Sequence, residues 1–221
     1  MKDTLYIRIP KTASTSIITT VLGAKMPAQE SLLFFSGAVK EFWNYAPRSV
    51  NYLITDNEVY QDVPLPANIK FKKRRNCFKF AFVRNPWDRA VSSWKFGSWT
   101  EKWNCSFHDF LLEIYDKNLE YPLSHYNCSA HGKKLHHACE QHPYIINKNQ
   151  KTMVDFVGKF ENLQQDFNTV CDEIGIPQRQ LPHKNKSKHK HYTEHYDDET
   201  RQIVAEKYAK DINYFGYKFG E

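Results

Sequence analysis

The chain has 221 residues, 15% of them aromatic, and a formal net charge of +6. That length suits a single domain with a full core, and no stretch is apolar for long enough to span a bilayer. The charge is uneven: Lys70-Phe71-Lys72-Lys73-Arg74-Arg75 and residues 183–191 are basic runs, readable as solvated faces or as local positive potential for an anionic ligand. No nucleic-acid-binding motif accompanies them.

Leu5-Tyr6-Ile7-Arg8-Ile9 is apolar or aromatic apart from its arginine and predicts an interior parallel strand. Pro10 ends it, since proline cannot donate to a ladder. Met1 stands almost against this strand, so neither signal peptide nor anchor is expected, and the chain reads as a cytoplasmic form or as one trimmed of such a segment. Thr12, Ser14 and Thr15 offer hydroxyls and N-cap chemistry, and Ile17, Ile18, Val21 and Leu22 recur at helical spacing, so a helix is expected from near Ser14. A helix N-terminus presents N–H groups and a partial positive charge to an anion, and Lys11 adds a full charge beside it. Taken alone, this segment fits an ordinary capped helix and a phosphate site equally. It is not a Walker A loop: there is no Gly-Lys-Ser/Thr, the lysine precedes the hydroxyls, and no acidic magnesium partner is evident. A magnesium-dependent ATPase or kinase is therefore disfavoured.

Residues 24–75 are irregular, with prolines at 27, 47, 64 and 66, helical pieces expected near 37–45 and a short strand near 52–55 followed by a loop. Residues 78–83 form a second predicted strand, and Arg84-Asn85-Pro86 follow it, with Pro86 suited to the first position of a helix over 86–98. Arg84 at the strand end can fork onto a phosphate, with the Ser92 hydroxyl two turns into the helix as a further donor. Taken alone, a structural Arg84–Asp88 salt bridge is the simpler reading. Two anion sites at neighbouring strand ends imply a ligand with two separated anionic groups, such as a doubly phosphorylated nucleotide.

A further helix is expected over 106–116. Residues 117–150 are polar and rich in His and Cys, and read as a substrate-side insertion. Cys128-x-x-His131 and Cys139-x-x-His142 are ligand types for tetrahedral zinc at a short separation. The five cysteines are an odd number and read as free thiols, and the sequons at Asn104, Asn127 and Asn185 as chance matches. Residues 154–160 predict a strand, 162–174 a helix ended by Gly175 and Pro177, 182–196 a basic loop, and 198–208 a helix with Asp197 as cap. No internal repeat is present. Alternating strands and helices imply an α/β fold, a parallel sheet with helices on both faces, and ligands at the carboxyl ends of its strands.

Pro-Lys-Thr-Ala-Ser-Thr-Ser at 10–16 resembles the 5′-phosphosulfate loop of sulfotransferases that use 3′-phosphoadenosine 5′-phosphosulfate (PAPS). Phe-Val-Arg-Asn-Pro-Trp-Asp-Arg-Ala-Val-Ser at 82–92 resembles their 3′-phosphate motif. Residues 154–163, and the tail from Leu181-Pro182-His183-Lys184-Asn185-Lys186-Ser187 to Asp211-Ile212-Asn213-Tyr214-Phe215-Gly216-Tyr217, are similar to the same family in order along the chain. The likeness is strongest to the carbohydrate, Golgi-type branch and its soluble bacterial and viral relatives. Ser14 departs from it, since many relatives have glycine there.

The resemblance implies one sulfotransferase domain over 1–221 with a P-loop-like three-layer fold, and transfer of a sulfuryl group from PAPS to a hydroxyl, on a carbohydrate. It assigns Lys11, Thr12, Ala13, Ser14, Thr15 and Ser16 to the 5′ end of the nucleotide, Lys11 also to catalysis, Arg84 and Ser92 to the 3′-phosphate, and Lys186 and Ser187 to a loop over the nucleotide. Neither metal, nucleic acid nor membrane is required. Relatives use a histidine or glutamate between the two motifs as general base, but the first histidine here is His108. Glu58 is the nearest replacement, Asp56 and Asp62 are rivals, and His137 and His142 are substitutes from the insertion. Two other classes stay open: a non-catalytic module that binds the product nucleotide 3′-phosphoadenosine 5′-phosphate (PAP) without turnover, and a basic polyanion-binding protein whose binding falls steeply with salt.

Overall fold

The computed structural model describes residues 4–22, 52–54, 59–61, 78–95, 106–115, 139–146, 149–182 and 190–221. These fall into two compact units, one within Met1–Val83 and Pro143–Lys184, the other within Arg84–His142 and Asn185–Glu221.

The first unit is built on a five-stranded sheet of order β3-β2-β1-β4-β5. Strand β1 is Thr4–Ile7, β2 Tyr52–Ile54, β3 Val59–Gln61, β4 Phe78–Val83 and β5 Phe156–Lys159. β1, β4 and β5 run parallel, with Ile7 opposite Ala81 and Val83 opposite Lys159. This is the expected α/β architecture, a parallel core flanked by helices. It carries one addition: β2 runs antiparallel to β1, and β3 antiparallel to β2. The expected strand near 52–55 is present, but its partner β3 stands where only a loop was expected. Four residues separate β2 from β3, which permits a hairpin and no parallel crossover.

Helix α1, Ser14–Leu22, follows β1, and helix α4, Leu163–Ile174, follows β5 through a 3₁₀ turn at Phe160–Asn162. Strand alternation places Tyr6, Phe80 and Phe82 on one face, where they join Ile17 of α1 and Phe167, Val170, Cys171 and Ile174 of α4. Tyr6 stacks on Phe80 at 4.8 Å between ring centroids. Ile7, Ala81 and Val83, on the other face, are also fully buried, as central parallel strands require. Gly158 of β5 is fixed by this packing, because a Cβ there would overlap the Phe82 ring. Asp155 pins β5 to β4: its N–H donates to the Lys79 carbonyl and its carboxylate accepts the Lys79 N–H, both at 2.7 Å. Helix α4 stops at Gly175, whose φ of 76° closes the C-terminus as expected.

The second unit is helical. Helix α2 is Pro86–Trp94, α3 Phe107–Tyr115, α5 Asp198–Lys207 and α6 Ala209–Phe215, with a 3₁₀ turn at Tyr192–His195. Trp87, Ala90 and Val91 of α2 bury against Phe107, Phe110 and Leu111 of α3 and Val204 of α5. Phe219 packs edge-on against Trp87, Tyr192 and Tyr196 at 5.4–5.7 Å, which docks the C-terminal tail on this core. Asp197 caps α5 in a reciprocal box with Thr200, as its position predicts. Helix α6 has no counterpart in the sequence reading. The expected helical pieces near 37–45 and most of the insertion at 117–150 lie outside the described residues.

Candidate functional site

Strand β1 feeds directly into the first candidate loop. After Ile9 and Pro10, both buried, the backbone takes a left-handed conformation at Lys11 (φ 70°) and again at Ala13 (φ 63°). Left-handed backbone costs a non-glycine residue about 1–2 kcal/mol, so two within three positions need local support. Thr12 Oγ1 donates to the Ile9 carbonyl at 2.9 Å, and Ser14 Oγ donates to the same oxygen at 3.0 Å. Both side chains are buried, so these hydroxyls shape the loop from inside. What the loop offers an anion is therefore its backbone. Alternation of left-handed with ordinary residues turns successive N–H groups toward one side, a nest, and here the nest opens the first turn of α1. Lys11 is half-buried. Ser14 is outside the left-handed set, so it occupies this turn without needing the freedom of glycine.

Strands β1 and β4 are parallel neighbours, so their carboxyl ends lie side by side at one edge of the sheet. The second candidate segment continues from β4 into the helical unit. Asn85 caps α2: its Oδ1 accepts the Trp87 N–H at 3.1 Å, and its Nδ2 donates to the Lys218 carbonyl at 2.9 Å. Pro86 takes the first helical position. Arg84 is 8% exposed, and its Nε donates to Asp88 Oδ2 at 2.7 Å. The structural salt bridge expected from the sequence is thus present. It does not compete with a phosphate role, because a guanidinium carries five N–H donors and a carboxylate on Nε fixes its plane. Ser92, half-buried, follows Asp88 by one helical turn on the same side of α2.

Sequence reading missed what holds Arg84 by its backbone. The Arg84 N–H donates to Gln141 Oε1 at 2.9 Å, and Gln141 Nε2 donates to the Arg84 carbonyl at 2.8 Å. Asp211, fully buried on α6, accepts the backbone N–H groups of Gln141 (2.6 Å) and His142 (2.8 Å) and lies 2.8 Å from His142 Nδ1. Asp211 lies in the family-like tail and His142 stood out as a zinc-type ligand and substitute base, but nothing marked Gln141.

The structure groups Lys11, Thr12, Ala13, Ser14, Thr15 and Ser16 in one turn and the helix start it leads into, and places Arg84 just before α2 and Ser92 in the second turn of that helix. Glu58, its rivals Asp56 and Asp62, His137, and the loop residues Lys186 and Ser187 lie outside the described residues. So do Cys128 and His131 of the zinc pattern. Cys139 and His142 are described; burial pushes the Cys139 thiol up, against the opposing pull of Arg89 and Lys207. Among the described residues, no three His, Cys, Asp or Glu side chains gather as a metal site. Nor is any helix among them long and apolar enough to cross a membrane.

A protein of Archaeoglobus fulgidus, itself described only as uncharacterized, is 32% identical over 102 residues, 45% of this chain and 68% of that protein. No solved structure matches the chain. The profile of the sulfotransferase family matches residues 2–218, a span that includes both strand–turn–helix segments and the tail docked beside the second. The chain belongs to the sulfotransferase family.

Proposed function

We propose that this protein is a PAPS-dependent sulfotransferase acting on a hydroxyl of a carbohydrate, with the whole chain working as one sulfotransferase domain. The observation that carries the donor assignment is the left-handed pair Lys11 and Ala13, which shapes the turn between a central parallel strand and its helix into an anion nest. That turn fits the 5′ end of PAPS through backbone N–H groups of residues 12–16, and Arg84 and Ser92 fit its 3′-phosphate. PAPS supplies the sulfuryl group when bound.

The chain's own residues supply placement and charge. Lys11 neutralises negative charge that develops on the leaving oxygen; loss of one such preorganised donor costs about 10²–10³ in rate. Arg84, held through Nε by Asp88, selects a nucleotide with a 3′-phosphate over one without. The likeness of the tail to the family assigns Lys186 and Ser187 to contacts with the nucleotide. A carboxylate between the two motifs, Glu58 first with Asp56 and Asp62 as rivals, takes the proton from the acceptor hydroxyl; this rests on the likeness to relatives that carry their base in that interval. The chemistry asks for no metal, because Lys11 and the nest meet the charge. The carbohydrate acceptor rests on the likeness of the two motifs to the carbohydrate branch.

Thermal shift with PAP and with adenosine 5′-monophosphate (AMP) tests the donor assignment. PAP should stabilise the protein and AMP much less; an equal response to both removes the role given to Arg84 and Ser92.

A further inference from the structure

The donor reading gives Arg84 its role but leaves unexplained why its backbone is tied to a residue 57 positions away in the chain. Gln141 is fully buried, and its amide uses one edge as a strand neighbour would, accepting from the Arg84 N–H and donating to the Arg84 carbonyl. The opposite amide orientation would place like groups together at both contacts, so the pairing is directional. Gln141 is fixed in turn by Asp211, whose two carboxylate oxygens accept the consecutive N–H groups of Gln141 and His142. A charged acceptor makes these bonds stronger than neutral ones. Arg84 is thus clamped at two points: its backbone by Gln141, its guanidinium by Asp88.

We propose that Gln141 is a positioning residue for donor recognition, and that Asp211 sets Gln141. This rests on the reading that Arg84 holds the 3′-phosphate. Selectivity for a 3′-phosphorylated nucleotide then depends on two buried groups with no assigned contact to it. A core role alone would lower affinity for every nucleotide together. A positioning role lowers the preference for PAP over AMP, because only the 3′-phosphate reads where Arg84 stands.

The test is calorimetric titration of PAP and of AMP into the full chain. Gln141→Met keeps the side-chain length and removes both amide bonds. Asp211→Asn keeps the shape and removes one of two acceptor oxygens. Arg84→Ala with Asp88→Ala removes the guanidinium without stranding its carboxylate. The expected result is a PAP/AMP affinity ratio reduced about 10–100-fold in Gln141→Met and less in Asp211→Asn, with AMP affinity within about threefold of wild type. If Gln141→Met does not fold, Asp211→Asn decides. A ratio that collapses in the Arg84/Asp88 double variant but survives in the folded Gln141 and Asp211 variants overturns the proposal and leaves the donor reading standing. A ratio that survives in the double variant removes the donor reading, and the proposal with it.

Discussion

Replacing Arg84 with alanine separates two roles the structure gives it. The Arg84–Asp88 pair is short, at 2.7 Å, and its side chains are only 10% and 16% exposed. Removing one member of such a pair strands the other; fully buried pairs lose about 3–5 kcal/mol in this way, and the residual exposure here argues for the lower end, roughly 3 kcal/mol. Arg84→Ala should therefore melt well below wild type. Arg84→Ala with Asp88→Ala should recover part of the loss, since no carboxylate is left without its partner. Ligand response should behave differently. A hydrogen bond to a charged group contributes about 1.5–3 kcal/mol, so loss of the contact to a 3′-phosphate should weaken PAP by roughly 10–150-fold. At PAP near 100 times the wild-type Kd, the protein gains about 2.7 kcal/mol of stability; roughly half to nine-tenths of that gain should vanish in both variants that lack Arg84. Differential scanning fluorimetry with PAP and AMP reads every quantity at once. The reasoning fails if Arg84→Ala keeps the wild-type difference between PAP and AMP, or if the double variant loses the plain sum of the two single losses.

Other outcomes follow from the same geometry. Thr12→Val removes one of the two hydroxyl ties on the Ile9 carbonyl and should cost about 0.5–1.5 kcal/mol, with a larger proportional loss of transfer rate than of stability; an unchanged rate would show that the left-handed turn needs no such tie. Gly158→Ala drives a methyl group into the buried Phe82 ring and should destabilise by about 1–3 kcal/mol; a melting temperature within a degree of wild type would contradict the close approach. Hydrogen bonds from Thr200 hold the Asp197 carboxyl below its ordinary value of 3.8, so its stabilisation is present above that pH and is lost as pH falls through the lowered folded-state value. Asp197→Asn, which can still cap but cannot titrate, should show a shallower acid limb in a pH–stability profile, and an unchanged limb would remove the cap from the account.

Much of this site was legible because its signals are local. Pro86 at a helix start, Gly175 at a helix end and Asp197 before a helix each act within a few residues, and the structure places all three as expected; β1, expected to run to Pro10, ends at Ile7. The hydroxyls of the first loop were legible in kind but not in direction: Thr12 and Ser14 turn inward to Ile9, a choice set by loop closure. The β2–β3 hairpin escaped because strands of three residues carry too little periodicity to declare a partner. Gln141 and Asp211 escaped for a different reason. Their partners lie 57 and 70 residues away in sequence, and a buried amide has no pattern that marks it until the fold brings a backbone to it.

The central claim is sulfuryl transfer from PAPS with Lys11 at the reacting centre. The most direct measurement incubates the protein and its Lys11→Ala variant with sulfur-labelled PAPS and a panel of hydroxyl-bearing glycans, following both label and PAP. The account predicts label on a sugar hydroxyl with one PAP formed per transfer, lost by about 10²-fold or more in Lys11→Ala while that variant keeps its fold. Tight PAP binding with no label on any acceptor, or transfer by Lys11→Ala at the wild-type rate, would contradict it.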